Sequence, residues 1–168
     1  MRPGLTATIR PAEPADVSAL LRLINDAFLV ERVFIDGDRT DAADVARRMR
    51  VGEFLAAFVG ERMVACVYVE ARGARGYFGM LAVDPSCQKA GHGRRLVAAA
   101  EDVCRARGCT VMDLQVVNLR TELPAYYRAL GYEETGTAPF PEEDASKLKQ
   151  PCHFVRMTKT LVREGSRG

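Results

Sequence analysis

The stretch "LAVDPSCQKAGHGRRLVAAAEDVCRARG" (residues 81–108) decides how this chain reads. Its first residues are apolar and β-like, and its last form an amphipathic helix. Between them lies a loop with Gly91 and Gly93 one residue apart and with Lys89, His92, Arg94 and Arg95 close by. A strand, a glycine-bearing basic loop and a helix start, in that order, are suited to holding an anion. Residues without a Cβ let the backbone come close, and a helix N-terminus directs unpaired N–H groups and the positive end of its dipole outward.

Three phosphate-binding patterns can be set against the loop. A P-loop requires GxxxxGK[ST], and "GHGRRL" offers no lysine followed by serine or threonine at the required place. The dinucleotide pattern GxGxxG fails at its third glycine, where Leu96 stands, and "DPSCQKA" separates the glycines from the strand they should follow directly. The third pattern fits. Gln88-x-x-Gly91-x-Gly93, following "LAVDP" and opening a helix, resembles the acetyl-CoA signature [RQ]-x-x-G-x-[GA] of the GNAT superfamily of N-acetyltransferases. The bland alternative is a glycine turn leading into a surface helix.

Further out, the composition narrows the classes. The chain has 168 residues of which 48% are hydrophobic, enough for one globular domain with a real core. A net charge of +2 argues against a dedicated nucleic-acid binder. No apolar run approaches the roughly 20 residues that span a bilayer, and "MRPGLTATIRP" contains no signal-type apolar segment, so no membrane partner is expected. The five cysteines, Cys66, Cys87, Cys104, Cys109 and Cys152, are odd in number and lack CxxC spacing. With only His92 and His153 beside them no metal is expected, and free thiols in a reducing cytoplasm fit best.

Along the chain, "TATIRPA" reads as a strand and "DVSALLRLINDAF" as a helix. The stripe of that helix is Val17, Leu20, Leu21, Ile24 and Phe28, with Asp16 as N-cap. "DAADVARRMR" gives a second helix. "EFLAAFVG" and "ERMVACVYVEARG" form strands about a Gly60-Glu61-Arg62 turn, the latter apolar on both faces. "GYFGMLAV" and "TVMDLQVV" are strands on either side of the helix that Gly108 closes. "ELPAYYRAL" is a short helix stopped by Gly131, and "YEETGT" and "HFVRMTKTL" are strands around "APFPEEDASKLKQP". The order β, α, α, β, β, β, α, β, α, β, β indicates a mixed α/β domain over residues 1–168, with 162–168 as a disordered tail.

A second segment carries the resemblance independently. "NLRTELPAYYRALGYEETGT" is similar to the later GNAT segment, in which a polar strand end precedes a helix bearing Tyr, three residues, then Gly-Phe or Gly-Tyr. Here that is Tyr127-Arg128-Ala129-Leu130-Gly131-Tyr132. The resemblance runs from Thr6 to about Leu161. It implies an α/β (α+β) fold whose mixed, mostly antiparallel central sheet is flanked by helices and splayed between the strands around 77–83 and 110–117.

By the same resemblance, Leu81, Ala82 and Val83 would give main-chain contacts to pantetheine, with an N–H near Leu81 polarising the thioester carbonyl. The segment Gln88, Lys89, Ala90, Gly91, His92, Gly93 and Arg94 would bind the pyrophosphate, and Asn118 would stand beside the pantetheine or acetyl group. Tyr127 would be the acid that protonates the departing thiolate, with Tyr126, on a stripe with Leu123 and Leu130, as the core residue. The family glutamate on the strand of Tyr77-Phe78-Gly79-Met80 is missing, so the base is open among Glu31, Asp36, Glu122 and water. The implied reaction is direct attack by an amine on acetyl-CoA, with a small-molecule or peptide amine as acceptor. Asp36, Asp38, Glu142 and Glu143 suggest a cationic one. A GNAT-like sensor that binds CoA without turnover is the alternative, and a homodimer is admitted.

Overall fold

The computed structural model describes residues 6–161; the tail expected to be disordered lies outside the described residues. In chain order the elements are β1 (Thr8–Pro11), α1 (Val17–Ala27), α2 (Ala42–Val51), β2 (Glu53–Val59), β3 (Arg62–Arg72), β4 (Arg75–Val83), α3 (His92–Ala106), β5 (Val111–Val117), α4 (Leu123–Ala129), β6 (Glu133–Pro139) and β7 (His153–Thr160). Short 3-10 segments cover Pro14–Asp16, Phe28–Val33, Pro85–Cys87 and Glu142–Lys147. The element order read from the sequence is the order found. No helix among the described residues is long and apolar enough to cross a membrane.

The seven strands form one sheet in the order β1-β2-β3-β4-β5-β7-β6, antiparallel throughout except for the parallel pair β4 and β5. Apolar residues on β2 and β3 divide between its two faces, as the two-residue period of a strand requires. Leu55, Ala57, Ala65 and Val67 join the core beneath α3 and α4. Phe54, Ala56, Cys66 and Tyr68 join the core beneath α1 and α2. This is why Met63 to Val69 reads as an unbroken apolar run. In these two cores Leu20 and Ile24 of α1 and Leu96 and Ala100 of α3 are fully buried. Burying such a leucine or isoleucine contributes about 1.5–3 kcal/mol.

The helix ends follow local chemistry. The Asp41 carboxylate caps α2, accepting from the Asp44 N–H at 2.8 Å. Gly108 ends α3 in the left-handed conformation (φ +87°). Two expectations for α1 are corrected. Leu23 rather than Leu21 is the third buried residue of its stripe. Asp16 makes no side-chain cap to α1; its carboxylate accepts from the Glu13 N–H at 2.8 Å and pairs with Arg10 at 3.0 Å.

The junction of β4 and β5 positions the site. The two strands pair only at Arg75 with Val111, Gly76 with Met112 and Tyr77 with Asp113. Beyond Tyr77, β4 stays with β3 while β5 follows β7 as far as Val117 opposite Phe154. The register between β3 and β4 slips: Cys66 faces Ala82 and Tyr68 faces Gly79, so Met80 and Leu81 together stand opposite Val67. Met80 takes a left-handed backbone (φ 51°) at this bulge. Bulges bend the strand and raise its twist, which turns β4 away from β5 and opens a wedge. A left-handed methionine costs roughly 1–2 kcal/mol, which the core contacts of buried Met80 offset.

Candidate active site

The loop after β4 begins with a fixed turn. The Asp84 carboxylate accepts from the Ser86 hydroxyl at 2.7 Å, from the Ser86 N–H at 2.9 Å and from the Arg62 guanidinium at 2.8 Å. These bonds hold the Asp84 carboxyl below its usual range, those from Ser86 weighing most. Lys89 (φ 70°) and Gly91 (φ 83°) are both left-handed, and α3 starts at His92. Its first turn closes with Arg95 N–H donating to the Gly91 carbonyl at 3.1 Å. The amides at the head of the helix have no partner further back in it.

The two glycines serve different ends. A side chain at Gly91 would meet nothing within 4 Å, so that position is set by its positive φ. Gly93 is set by space: a Cβ there would stand 2.8 Å from the Tyr126 hydroxyl oxygen. Lys89 and Arg94 line the cleft beside them, and neither makes an ion pair or hydrogen bond among the described residues. The His92 Nδ1 is buried without a hydrogen-bond partner. Arg95 leaves the expected cationic rim, because its guanidinium donates to the Ala7 carbonyl at 3.0 Å. A left-handed turn, a helix head and two uncommitted cations suit a pyrophosphate.

The wedge is a cleft of about 810 Å³, within the range of small-molecule sites. Leu81, Val83, Gln88, Lys89, Gly91, His92, Gly93 and Arg94 line it; Ala82, Ala90 and Asn118 do not. Ala82 is buried in the core under α1 and α2. Asn118 departs from its expected place. Its side-chain carbonyl accepts from the His153 N–H at 2.9 Å, and its own N–H donates to the His153 carbonyl at 2.9 Å. It closes the end of the β5–β7 ladder, the strand-ending role open to any asparagine at a turn.

The two tyrosines of α4 exchange their expected environments. Tyr126 is 40% exposed, whereas Tyr127 is 6% exposed and belongs to the core. Tyr127 packs between Phe78 (5.9 Å between ring centroids) and Tyr132 (6.3 Å), and it also lines the cleft. Burial pushes its phenol above the usual tyrosine range. Tyr132 is more deeply held: its hydroxyl donates to Glu101 at 2.7 Å, and the Lys159 ammonium reaches the same carboxylate at 3.1 Å.

Of the acids considered as base, Glu31 is the one both buried and in the cleft. Burial raises its pKa, and the Arg120 guanidinium, 2.8 Å away, opposes the shift. Asp36 lines the cleft but is exposed and paired with Lys149 at 3.3 Å. Glu122 lies outside it, paired with Arg120 at 3.0 Å. Asp38 is engaged by Arg32, and Glu142 and Glu143 do not line the cleft. The acidic rim is thus largely neutralised by its own cations. Sequence reasoning missed Arg39, Arg120 and Tyr126 as cleft residues. Arg120 could have been suspected from its place just before α4, but nothing near Arg39 marks it. Among the described residues no group of three or more His, Cys, Asp or Glu side chains is arranged to hold a metal.

Comparison with known proteins bears on this geometry. The model of the Acetyltransferase (GNAT) family matches residues 18–132. Among curated proteins none matches the sequence. Solved structures share the fold at low identity. The ribosomal-protein-S18-alanine N-acetyltransferase from Escherichia coli superposes with a TM-score of 0.74 at 18% identity, covering 96% of this chain and 98% of that one. A phosphinothricin acetyltransferase from Sinorhizobium meliloti, solved in complex with acetyl-CoA, gives 0.73 at 19% identity, covering 97% and 92%. Ard1 from Thermoplasma volcanium gives 0.75 at 18%, covering 94% and 99%.

Proposed function

The chain belongs to the GNAT acetyltransferase family, and from that premise we propose that it moves the acetyl group of acetyl-CoA directly to a primary amine of a small molecule or peptide. Acetyl-CoA is the acyl donor of the family and supplies the acetyl group as a thioester. The observation that carries the proposal is convergence. The left-handed loop at the head of α3, the open edge of β4 and the hydroxyl-bearing Tyr127 all face one cleft.

Each part has a role in that reaction. The free N–H groups at the start of α3, with Lys89 and Arg94, would hold the pyrophosphate. The edge of β4 from Leu81 to Val83, unpaired with β5, would take the pantetheine arm by main-chain hydrogen bonds, and an N–H near Leu81 would polarise the carbonyl. Tyr127 would donate its proton to the sulfur as the carbon–sulfur bond breaks. Its burial keeps the phenol protonated until then. Glu31 would take the proton of the attacking amine, directly or through water. A carboxyl whose burial has raised its pKa is the better base near neutral pH. In this reading Glu31 takes the part that no glutamate fills at Tyr77–Met80, which favours turnover over a non-catalytic sensor. Five free cysteines fit residence in the reducing cytoplasm.

Thiol release from acetyl-CoA against a panel of amines, with mass spectrometry of the products, tests the proposal. Release with an acetylated amine as product is expected. Tight acetyl-CoA binding with no release for any amine would leave the sensor instead.

A further inference from the structure

One wall of the cleft, built from the segment after α1 and the loop before β7, is closed by backbone pairing. Segment 34–36 meets segment 147–149: the Asp36 N–H donates to the Lys147 carbonyl at 2.7 Å, and the Lys149 N–H donates to the Phe34 carbonyl at 2.9 Å. Ile35 and Leu148 form the bridge between these bonds, and Lys149 pairs with Asp36 at 3.3 Å. Ile35, Asp36, Lys147 and Leu148 all line the cleft. An extended peptide would have to break these bonds to run between the two segments. A small acceptor would not.

Among the described residues, charge pairing on this wall leaves Arg39 over. Arg32 pairs with Asp38, Arg120 with Glu31, Lys147 with Asp144 and Arg48 with Asp44. Arg39 lines the same cleft and has neither an ion pair nor a side-chain hydrogen bond among the described residues. Its guanidinium lies over the ring of Phe28, 5.3 Å from the centroid. Arg39 is exposed, and the solvent it meets is that of the cleft it lines. A planar guanidinium in that setting matches a carboxylate with two parallel hydrogen bonds. A polyamine or basic peptide would instead meet Arg39 and Arg48 as like charges.

We propose, resting on the acetyltransferase reading, that the acceptor is a free α-amino acid, its carboxylate held by Arg39 and its amino group turned toward Glu31. The closed wall limits the size of the acceptor, Arg39 supplies the anion site, and Glu31 supplies the place for the ammonium proton.

The test is thiol release from acetyl-CoA with the twenty standard amino acids, and with the carboxamide and decarboxylated amine of the best of them. The amino acid should exceed both derivatives in kcat/KM by on the order of 10- to 100-fold, the worth of a charge-assisted bond. Arg39→Gln should erase that preference mainly through KM, with Arg39→Lys recovering part of it and acetyl-CoA affinity by calorimetry serving as the control. Derivatives that match the amino acid, a preference that survives Arg39→Gln, or turnover of other amines but of no amino acid would overturn the inference while leaving the acetyltransferase reading intact. Failure to bind acetyl-CoA would instead strike at that reading.

Discussion

Tyr126 and Tyr127 are adjacent in the chain and about 100° apart on α4, and their environments differ accordingly. Because Tyr127 is in the cleft and buried, Tyr127→Phe should keep the packing against Phe78 and Tyr132 and lose only the hydroxyl. Acetyl-CoA affinity should stay near normal, and turnover should fall by on the order of 10² for loss of a general acid; steady-state kinetics with a working amine checks this. Glu31 gives a pH signature. Burial raises its folded pKa above the ordinary glutamate value of 4.5, so kcat/KM should decline as pH falls through that raised value. Glu31→Gln should remove this limb of the profile, and an unchanged limb would assign the base elsewhere. Tyr127 was legible through its spacing to Gly131-Tyr132, but its burial was not. The stripe Leu123, Tyr126, Leu130 suggested the opposite, since α4 spans only Leu123–Ala129 and a helix that short has little periodicity to read. Its inner face is set by a gap between diverging strands.

The head of α3 is the element whose geometry carries the most weight. Gly91→Ala should cost roughly 1 kcal/mol through its left-handed backbone alone, because no neighbour crowds the new methyl group. At Gly93 the new atom meets the Tyr126 hydroxyl. Gly93→Ala should therefore destabilise the protein less in a Tyr126→Phe background than in the wild type, a coupling that denaturant titration of the double-mutant cycle measures. Additive effects would mean that the hydroxyl moves aside freely. At this scale the sequence was most informative. Burial of β2 and β3 on both faces, Gly60 at the hairpin, and Gly108 and Gly131 at helix ends all have direct chemical signatures. The cause of the wedge has none: the bulge rests on Met80 in a left-handed conformation, where a sequence reader looks for glycine or asparagine. The splay was expected by family resemblance alone.

For the whole molecule, the sheet, the cleft and the helix head should act together as one ligand-stabilised unit. A ligand that binds only the folded state adds about 2.7 kcal/mol at a hundredfold excess over its Kd. Acetyl-CoA should accordingly raise Tm well beyond the effect of equal ATP, NAD or NADP, and equal shifts for NAD would restore the dinucleotide reading. The same scale limits what sequence could say about the acceptor, because the cleft that Arg39 lines is walled by segments 34–36 and 147–149, which are far apart in the chain. The most direct test of the account is calorimetric titration of acetyl-CoA into the wild-type protein and Gly93→Val. Val at this position presses on a movable side chain end rather than on backbone, so the variant should remain folded while its side chain obstructs the pyrophosphate's approach. One-to-one binding by the wild type, lost in the folded variant, is the predicted result; no binding by the wild type, or equal affinity in both, would contradict it.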